Sequence, residues 1–297
     1  MQDNIIYRIG SLRIKINRSI DHFNRIYSIS FVDEYDWYFE VIESKEALSN
    51  LIQEVEETGK KDNIIYINDN CIYDVDILKR KTTCFCENIR EFEISLIGAP
   101  IQVVALNSNK VCLHGSGIIN NNKIVLFSGN SGVGKSTLMN YLIDRGYEFF
   151  CDDMCLLDRT KGISKVYGIE GYFKLYEEQI GDIDGCIEAS KGKYFVPIEN
   201  NGMIKKNNQD SYELEHIVFL SRKPTGSFEI KKIFEPSFKY ILCAQGIIFF
   251  NEDTPLISDS ARRNAINLIK DLDIEVLYIP DKLENYDINL IKKTISF

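Results

Sequence analysis

The sequence predicts an α/β fold with a smaller, β-rich N-terminal domain. The first supporting observation is a short apolar run that leads into a glycine-rich turn and then into a helical pattern, an order typical of α/β cores. The second is the alternation of apolar and polar residues through much of residues 1–90, which indicates strands. The third is the length of 297 residues, which is enough for one large or two modest domains.

The N-terminal domain is predicted to cover residues 1–90. Its residues 5–16 and 27–42 alternate in polarity and are rich in aromatic side chains, so we expect strands there. Residues 44–58 carry apolar side chains close to helical spacing and are predicted to form a helix, whereas residues 63–72 return to a strand pattern. None of these segments shows the residue pattern of a catalytic site, so the role of this domain stays open.

The second domain is predicted to cover residues 91–297, beginning with a strand over residues 92–97. Residues 111–119 and Lys123–Ser128 are predicted to pair as a hairpin, because the asparagines between them tolerate the positive φ angles of tight turns. Beyond the hairpin we expect helices over residues 137–145, 236–244 and 260–271, strands over residues 147–151, 164–167, 215–220 and 275–279, and a surface loop over residues 200–210.

A complete G-x-x-x-x-G-K-[ST] motif lies between the strand Lys123–Ser128 and the helix that follows it. A glycine-rich turn in this setting lets backbone N–H groups and the helix N-terminus face a phosphate group. We therefore predict that the chain binds a nucleoside triphosphate, with both ATP and GTP left open. The predicted nucleotide-binding residues are Gly129, Asn130, Ser131, Gly132, Val133, Gly134, Lys135, Ser136 and Thr137.

Two side chains of this motif have predicted roles in phosphate chemistry. Lys135 would place a positive charge on the outer phosphates, and the Ser136 hydroxyl would ligate Mg²⁺. A chance glycine-rich turn before a helix is the alternative interpretation. We prefer the phosphate loop because every fixed position of the motif and both flanking elements match.

Two adjacent carboxylates, Asp152 and Asp153, follow the predicted strand 147–151. If that strand is the parallel neighbour of Lys123–Ser128 in a right-handed crossover, its carboxyl end lies beside the phosphate loop. One carboxylate there could hold Mg²⁺, and the other could accept a proton from an attacking hydroxyl. A solvated Asp-Asp turn that ends a strand is the structural alternative.

The composition argues against several classes of protein. A net charge of −9 and a pI near 5.1 argue against binding to nucleic acid or to an anionic membrane. No apolar run reaches the ~18 residues of a membrane span, and the first residues lack the pattern of a signal peptide. The eight cysteines form no C-x-x-C pair, so we expect reduced thiols and a cytoplasmic location, with a metal site at Cys84 and Cys86 as the alternative.

The stretch from Leu113-His114-Gly115-Ser116 through the phosphate loop to Asp152-Asp153 resembles the HPr kinase/phosphorylase family. The likeness is greatest to smaller members that modify peptides, including the serine kinases of lasso-peptide clusters; it is close over residues 112–158 and looser over 92–271. It implies a phosphate-loop core related to phosphoenolpyruvate carboxykinase, and phosphorylation of serine hydroxyls with ATP and Mg²⁺. The longer arginine-containing signature of the family is not located here, so the resemblance does not extend to HPr as acceptor or to the reverse reaction.

The resemblance also implies a role for each matching position. Lys135 and Ser136 would be the phosphate and metal residues, Asp152 would be the catalytic base, and Asp153 would be a metal ligand. His114 would be a catalytic imidazole beside that base. Judged from its position in the strand before the hairpin, His114 could orient Asp152 or could be a structural histidine.

Four further residues have less support from the sequence. Glu170 is predicted to be another metal ligand, and Lys174 a cation that neutralises the transferred phosphoryl group, with a solvated loop as the alternative. His22 and His216 have no companion residues and are expected to be structural.

These residues together predict a kinase that phosphorylates a serine or threonine hydroxyl of a peptide or small protein, such as a ribosomally made peptide precursor. Two alternatives stay open: a kinase for small molecules such as free serine, and a regulatory NTPase that phosphorylates nothing. Motor and switch NTPases usually place the metal-binding aspartate on a more distant strand, whereas here the acidic pair follows the next one, which favours the kinase. The expected partners are the nucleotide and the peptide, without nucleic acid or membrane; a homo-oligomer stays open.

Overall fold

The computed structural model describes residues 4–30, 33–59, 62–130, 132–160, 162–169, 172–176, 186–188, 193–197, 211–223, 228–247 and 254–280. Within these ranges the strands form a seven-stranded, an eight-stranded and a three-stranded sheet, and helices pack against the two larger sheets. The fold is therefore mixed α/β.

The first sheet contains all the strands before residue 87. In chain order, the elements of this part are β1 (Ile5–Ile9), β2 (Leu12–Ile16), α1 (Asp21–Ile26), β3 (Ser28–Ile29), β4 (Trp37–Glu43), α2 (Lys45–Thr58), β5 (Ile64–Asn68), β6 (Cys71–Asp76) and β7 (Lys81–Cys86). The strand order across the sheet is β3-β1-β2-β4-β7-β6-β5. The predicted domain boundary at residues 90 and 91 falls just after this sheet and stays a prediction.

The second and third sheets follow in the rest of the chain. Their elements are α3 (Ile89–Leu96), α4 (Ala99–Asn107), β8 (Val111–Asn120), β9 (Lys123–Ser128), α5 (Lys135–Ile143), β10 (Glu148–Cys151), β11 (Met154–Thr160), β12 (Ile163–Gly168), β13 (Tyr172–Tyr176), β14 (Ile187–Glu188), β15 (Lys193–Pro197), β16 (Tyr212–Lys223), β17 (Glu229–Ile233), α6 (Pro236–Ala244), α7 (Asp259–Ile269) and β18 (Ile274–Pro280). Strands β13, β14 and β15 form the small third sheet, and the others form the eight-stranded sheet.

The two large sheets share one hydrophobic core. A continuous cluster of buried side chains runs from β1 and β2 through α4 to the eight-stranded sheet. At the contact between the sheets, the Tyr27 hydroxyl donates a hydrogen bond to the Ile169 carbonyl at 2.7 Å. A side chain on Gly10 would meet Tyr167 and Leu156 at 3.0 and 3.1 Å, so the backbone of the first sheet approaches the second closely there. The first sheet therefore packs directly against the second.

Two sequence predictions about local structure are confirmed. Strands β8 and β9 form the predicted hairpin, and its two turn residues, Asn121 and Asn122, have φ angles of 50° and 63°. Helix α2 covers the predicted helical segment and begins after Ser44, whose hydroxyl accepts a hydrogen bond from the Ala47 N–H at 3.2 Å. In both places short-range chemistry decides the structure.

The strand predicted over residues 92–97 is wrong, because this segment belongs to helix α3. The Asn88 side chain accepts hydrogen bonds from the N–H groups of Arg90 and Glu91 and so caps the helix N-terminus. Phe92 and Leu96 are buried four positions apart, which places them on one face of the helix. Periodicity alone does not distinguish a strand from a helix in a short apolar run, and here the N-cap residue is the signal that indicates the helix.

The predicted parallel neighbour of β9 is also wrong. Strand β10 pairs antiparallel with β8 and is not adjacent to β9 in the sheet. Both edges of β9 are already used: the hairpin places β8 on one edge, and β16 pairs parallel on the other. The chain therefore returns from α5 to the far edge of β8, where β11 continues the same antiparallel pairing.

The remaining general predictions concern cysteines and membranes. The eight cysteines are free thiols, and all except the half-buried Cys186 are buried. In the described parts of the chain, no group of three or more His, Cys, Asp or Glu residues is arranged to hold a metal ion, and no helix is long and apolar enough to cross a membrane. The loop predicted over residues 200–210 lies outside the described residues.

Candidate active site

The glycine-rich motif forms the connection between β9 and α5, so the strand and helix predicted around it are both present. Gly129, Gly132 and Gly134 have φ angles of 136°, 79° and 109°, a region that side chains other than glycine rarely adopt. Ser136 and Thr137 are exposed in the first turn of α5, next to the half-buried Gly134. Ser131 lies outside the described residues. The loop is therefore a strongly curved backbone segment that opens toward solvent.

Replacing Gly129 by alanine should destabilise the protein more than replacing Gly132 does. A Cβ atom on Gly129 would lie 2.6 Å from the Leu220 carbonyl oxygen of β16, whereas a Cβ atom on Gly132 meets nothing within 4 Å. Both changes strain a positive φ angle, at about 1 kcal/mol, but only Gly129→Ala also forces two backbone segments apart. Urea unfolding should show that Gly129→Ala loses at least ~1 kcal/mol more of the free energy of unfolding than Gly132→Ala does. Equal losses would mean that the backbone of β16 moves aside without a measurable cost in stability.

Lys135 starts α5 and turns its ammonium group back over the loop. Its side chain is buried, and Nζ donates hydrogen bonds to the carbonyls of Gly129 at 2.9 Å and Asn130 at 3.3 Å. Burial lowers the pKa of Lys135, and the negative charges of Asp153 and Asp152 oppose that shift. The arrangement thus holds one cation between the curved loop and two carboxylates.

Asp152 lies between β10 and β11, just after the register of β10 against β8 shifts between Phe149 and Cys151. Its Oδ1 accepts a hydrogen bond from the buried Ser116 hydroxyl at 2.9 Å, and its carboxylate also accepts one from the Ser136 hydroxyl. Burial raises the pKa of Asp152; these two hydrogen bonds oppose the shift, and the charge of Asp153 adds to it. The structure therefore brings the predicted base and the predicted metal residue of the loop into direct contact.

Asp153 and His114 form a second pair beside the first. His114 Nε2 lies 3.1 Å from Asp153 Oδ1, and both side chains are partly exposed. The backbone holds this pair in place, because the Gly115 N–H donates to the Asp153 carbonyl and the His114 N–H donates to the Gly246 carbonyl, both at 3.1 Å. The imidazole expected beside Asp152 thus makes its contact with the neighbouring Asp153.

The remaining residues singled out in the sequence are Glu170, Lys174, His22 and His216. Glu170 lies outside the described residues, and Lys174 lies on β13 in the three-stranded sheet. His22 and His216 are buried, and their structural role stays a prediction.

Ser116 is a site residue that the sequence reasoning missed. It lies two positions after His114 on β8, and alternate residues of a strand share a face. This spacing was a usable signal for Ser116, because a hydroxyl two positions from a candidate imidazole on the same strand faces the same carboxylates.

The raised pKa of Asp152 has a consequence for stability. A carboxyl group whose pKa is higher in the folded protein than its ordinary 3.8 binds protons more tightly when folded, so its ionisation lowers stability as the pH rises above that value. Asp152→Asn should therefore raise the melting temperature at pH 7 by a few degrees, and this gain should shrink as the pH falls toward 4. Asp144→Asn, a change at an exposed carboxylate, should show no such trend. A gain that is the same at both pH values would contradict the assignment.

Comparison with known proteins finds distant likenesses among solved structures. No protein-family model matches the chain, and no curated protein matches it. Among solved structures, the Hpr(Ser) kinase/phosphatase from Coxiella burnetii is similar at 14% sequence identity over 62% of this chain and 87% of that chain, with a TM-score of 0.33. The likeness assigns no role to any residue here. The fold of the chain is mixed α/β.

Proposed function

We propose that the chain is a kinase that uses ATP or GTP with Mg²⁺ to phosphorylate a serine or threonine hydroxyl of a peptide or small protein. The observation that carries this proposal is the position of the two acidic side chains beside the glycine-rich loop, where the charges of both act on Lys135. Asp152 is hydrogen-bonded to Ser136 at the start of α5, and Asp153 pairs with His114 beside it. A phosphate-binding loop combined with a base and a metal carboxylate is the set of groups that phosphoryl transfer requires.

The loop fits the phosphates of a nucleotide. Its three glycines with positive φ angles turn the backbone so that N–H groups can face an anion, and the N-terminus of α5 adds its dipole. Lys135 now donates to two loop carbonyls, and an incoming phosphate would give this buried cation a stronger acceptor. These features support binding of the β- and γ-phosphates by the loop.

The oxygen groups around Ser136 fit Mg²⁺. This ion binds oxygen ligands and usually takes only one or two carboxylates from the protein. The Ser136 hydroxyl with Asp153, or with the nearer Asp152, would provide that number, and Mg²⁺ would neutralise charge on the transferred phosphoryl group. Glu170 stays a proposed additional ligand.

The acceptor hydroxyl needs a base, and Asp152 is our proposed base. Its raised pKa makes it a stronger proton acceptor than an ordinary aspartate. Ser116 orients the carboxylate through its hydrogen bond, and the His114 imidazole contributes positive charge when protonated. The neighbouring Asp153 would then face the metal.

The alternatives differ in their acceptor, so one assay separates them. The protein is incubated with γ-labelled ATP or GTP and Mg²⁺, together with a serine- and threonine-containing peptide library, with peptides encoded beside its gene, with free serine, or without an acceptor. Label in a peptide that is absent with Lys135→Ala supports the proposal. Label in free serine alone indicates a small-molecule kinase, and release of phosphate without any labelled acceptor indicates an NTPase; either result would overturn the proposed peptide kinase.

A further inference from the structure

A groove with a volume of about 630 Å³ lies next to the phosphate loop. Asn130, Gly132 and Val133 of the loop are part of its lining. The walls come from the final residues of β16, from Tyr278 of β18, and from the face of α6 that carries Phe238 and Ile241. The groove is therefore continuous with the loop that we propose holds the phosphates.

The order of the strands places the groove and the acidic pair on opposite sides of the loop. Strand β9, which leads into the loop, has β8 on one edge and β16 on the other. The acidic pair follows β10, which lies beyond β8, whereas the groove is built on β16 and its parallel neighbour β18. A triphosphate bound across the loop with its terminal phosphate toward the acidic pair would direct its nucleoside toward the groove.

We propose that this groove binds the base and ribose of the nucleotide, an inference that rests on the proposed kinase function. Its volume is in the range of small-molecule sites, about 300–1,000 Å³. Phe238 and Ile241 are 58% and 53% exposed, so they offer an apolar surface on which a flat base can lie. Ser221, Arg222 and Gln245 add polar groups to the lining, which contains no carboxylate among the described residues.

An acceptor peptide is the competing occupant of the groove. Its hydroxyl would have to reach the acidic pair, which lies beyond β8 on the other side of the loop. A peptide seated along α6 would therefore have the phosphate loop between itself and the carboxylates. The nucleoside does not have to reach the acidic pair. It must instead lie away from the reacting phosphate by the length of the phosphate chain.

Binding of a nucleotide and of its phosphate chain alone can be measured separately. We would titrate the protein by calorimetry with AMPPNP, GMPPNP and inorganic tripolyphosphate, each with Mg²⁺. Phe238→Ala should weaken binding of the preferred nucleotide analogue about 10-fold and leave binding of tripolyphosphate unchanged. Ile241→Trp, which fills the groove, should have the same selective effect. The control is Phe234→Ala, at an aromatic residue that is 75% exposed and lies just before α6 without lining the groove.

The outcomes separate this inference from the function on which it rests. If neither a nucleotide analogue nor tripolyphosphate binds the wild-type protein, both proposals are overturned. If both bind and the two groove variants change neither affinity, the groove proposal fails while the phosphate site stands. If the groove variants bind nucleotide normally but no longer phosphorylate peptides, the groove is an acceptor site, and this result also overturns the nucleoside assignment.

Discussion

Replacing Lys135 with alanine should lower the rate of phosphoryl transfer by at least ~100-fold. The ammonium group is buried between the loop carbonyls of Gly129 and Asn130 and the charges of the acidic pair. A cation from solution therefore cannot replace it without a larger cost in free energy. Its charge is needed most where negative charge develops on the transferred group, so we expect a loss in turnover at saturating nucleotide. Steady-state kinetics at saturating nucleotide and acceptor measure this loss.

The matched control is Lys123→Ala at the other end of the same strand. Lys123 is partly exposed and pairs with Glu213, so its removal should leave turnover unchanged. Thermal melts should show that both variants are folded. Near wild-type turnover of a folded Lys135→Ala protein would exclude the proposed role of this lysine.

Changing each aspartate of the acidic pair to asparagine should produce two different defects. Asp152→Asn removes the proposed base, so turnover should fall by ~10²–10⁴-fold while the Mg²⁺ concentration for half-maximal activity stays nearly constant. Asp153→Asn removes a proposed metal ligand, so that Mg²⁺ concentration should rise severalfold or more. Metal titrations at fixed nucleotide and acceptor concentrations measure both quantities for each variant.

The contacts of the pair define how this division of roles could fail. Asp152 is hydrogen-bonded to Ser136, the proposed metal residue, and Asp153 is paired with His114. A metal shift in Asp152→Asn without one in Asp153→Asn would therefore reverse the two roles. Equal metal shifts and equal turnover would mean that the pair acts as a single metal site.

The sequence predicted those parts of the site that depend on adjacent residues. The loop motif and the Asn121–Asn122 hairpin are local, because glycine and asparagine determine the backbone within a few positions. The nearness of Asp152 to the loop was expected from a strand directly beside β9, whereas β8 lies between β9 and β10. Because β8 is antiparallel to both, β9 and β10 still run in the same direction and end at one edge of the sheet, which brings Asp152 close to the loop.

Features assembled from distant segments could not be predicted in the same way. The groove combines the loop with side chains near residues 220, 240 and 278, and no local pattern connects these segments. The false strand over residues 92–97 has a different origin. The cap at Asn88 was present in the sequence, but the apolar run after it was assigned from its alternation of polarity alone. Ser116 was missed although its spacing from His114 on β8 was a usable signal, because its hydrogen-bonding partner Asp152 lies 36 positions away in the sequence.

The position of β9 between β8 and β16 also affects how the chain folds during synthesis. The hairpin can cover one edge of β9 as soon as residues 111–128 have emerged, but β16 begins only at Tyr212. Until then, the apolar strand Lys123–Ser128 has an open edge, which is a common starting point for aggregation. A fragment that ends before Tyr212 would contain the whole phosphate-loop motif and still lack the strand that shields it, so we expect such fragments to associate rather than to fold.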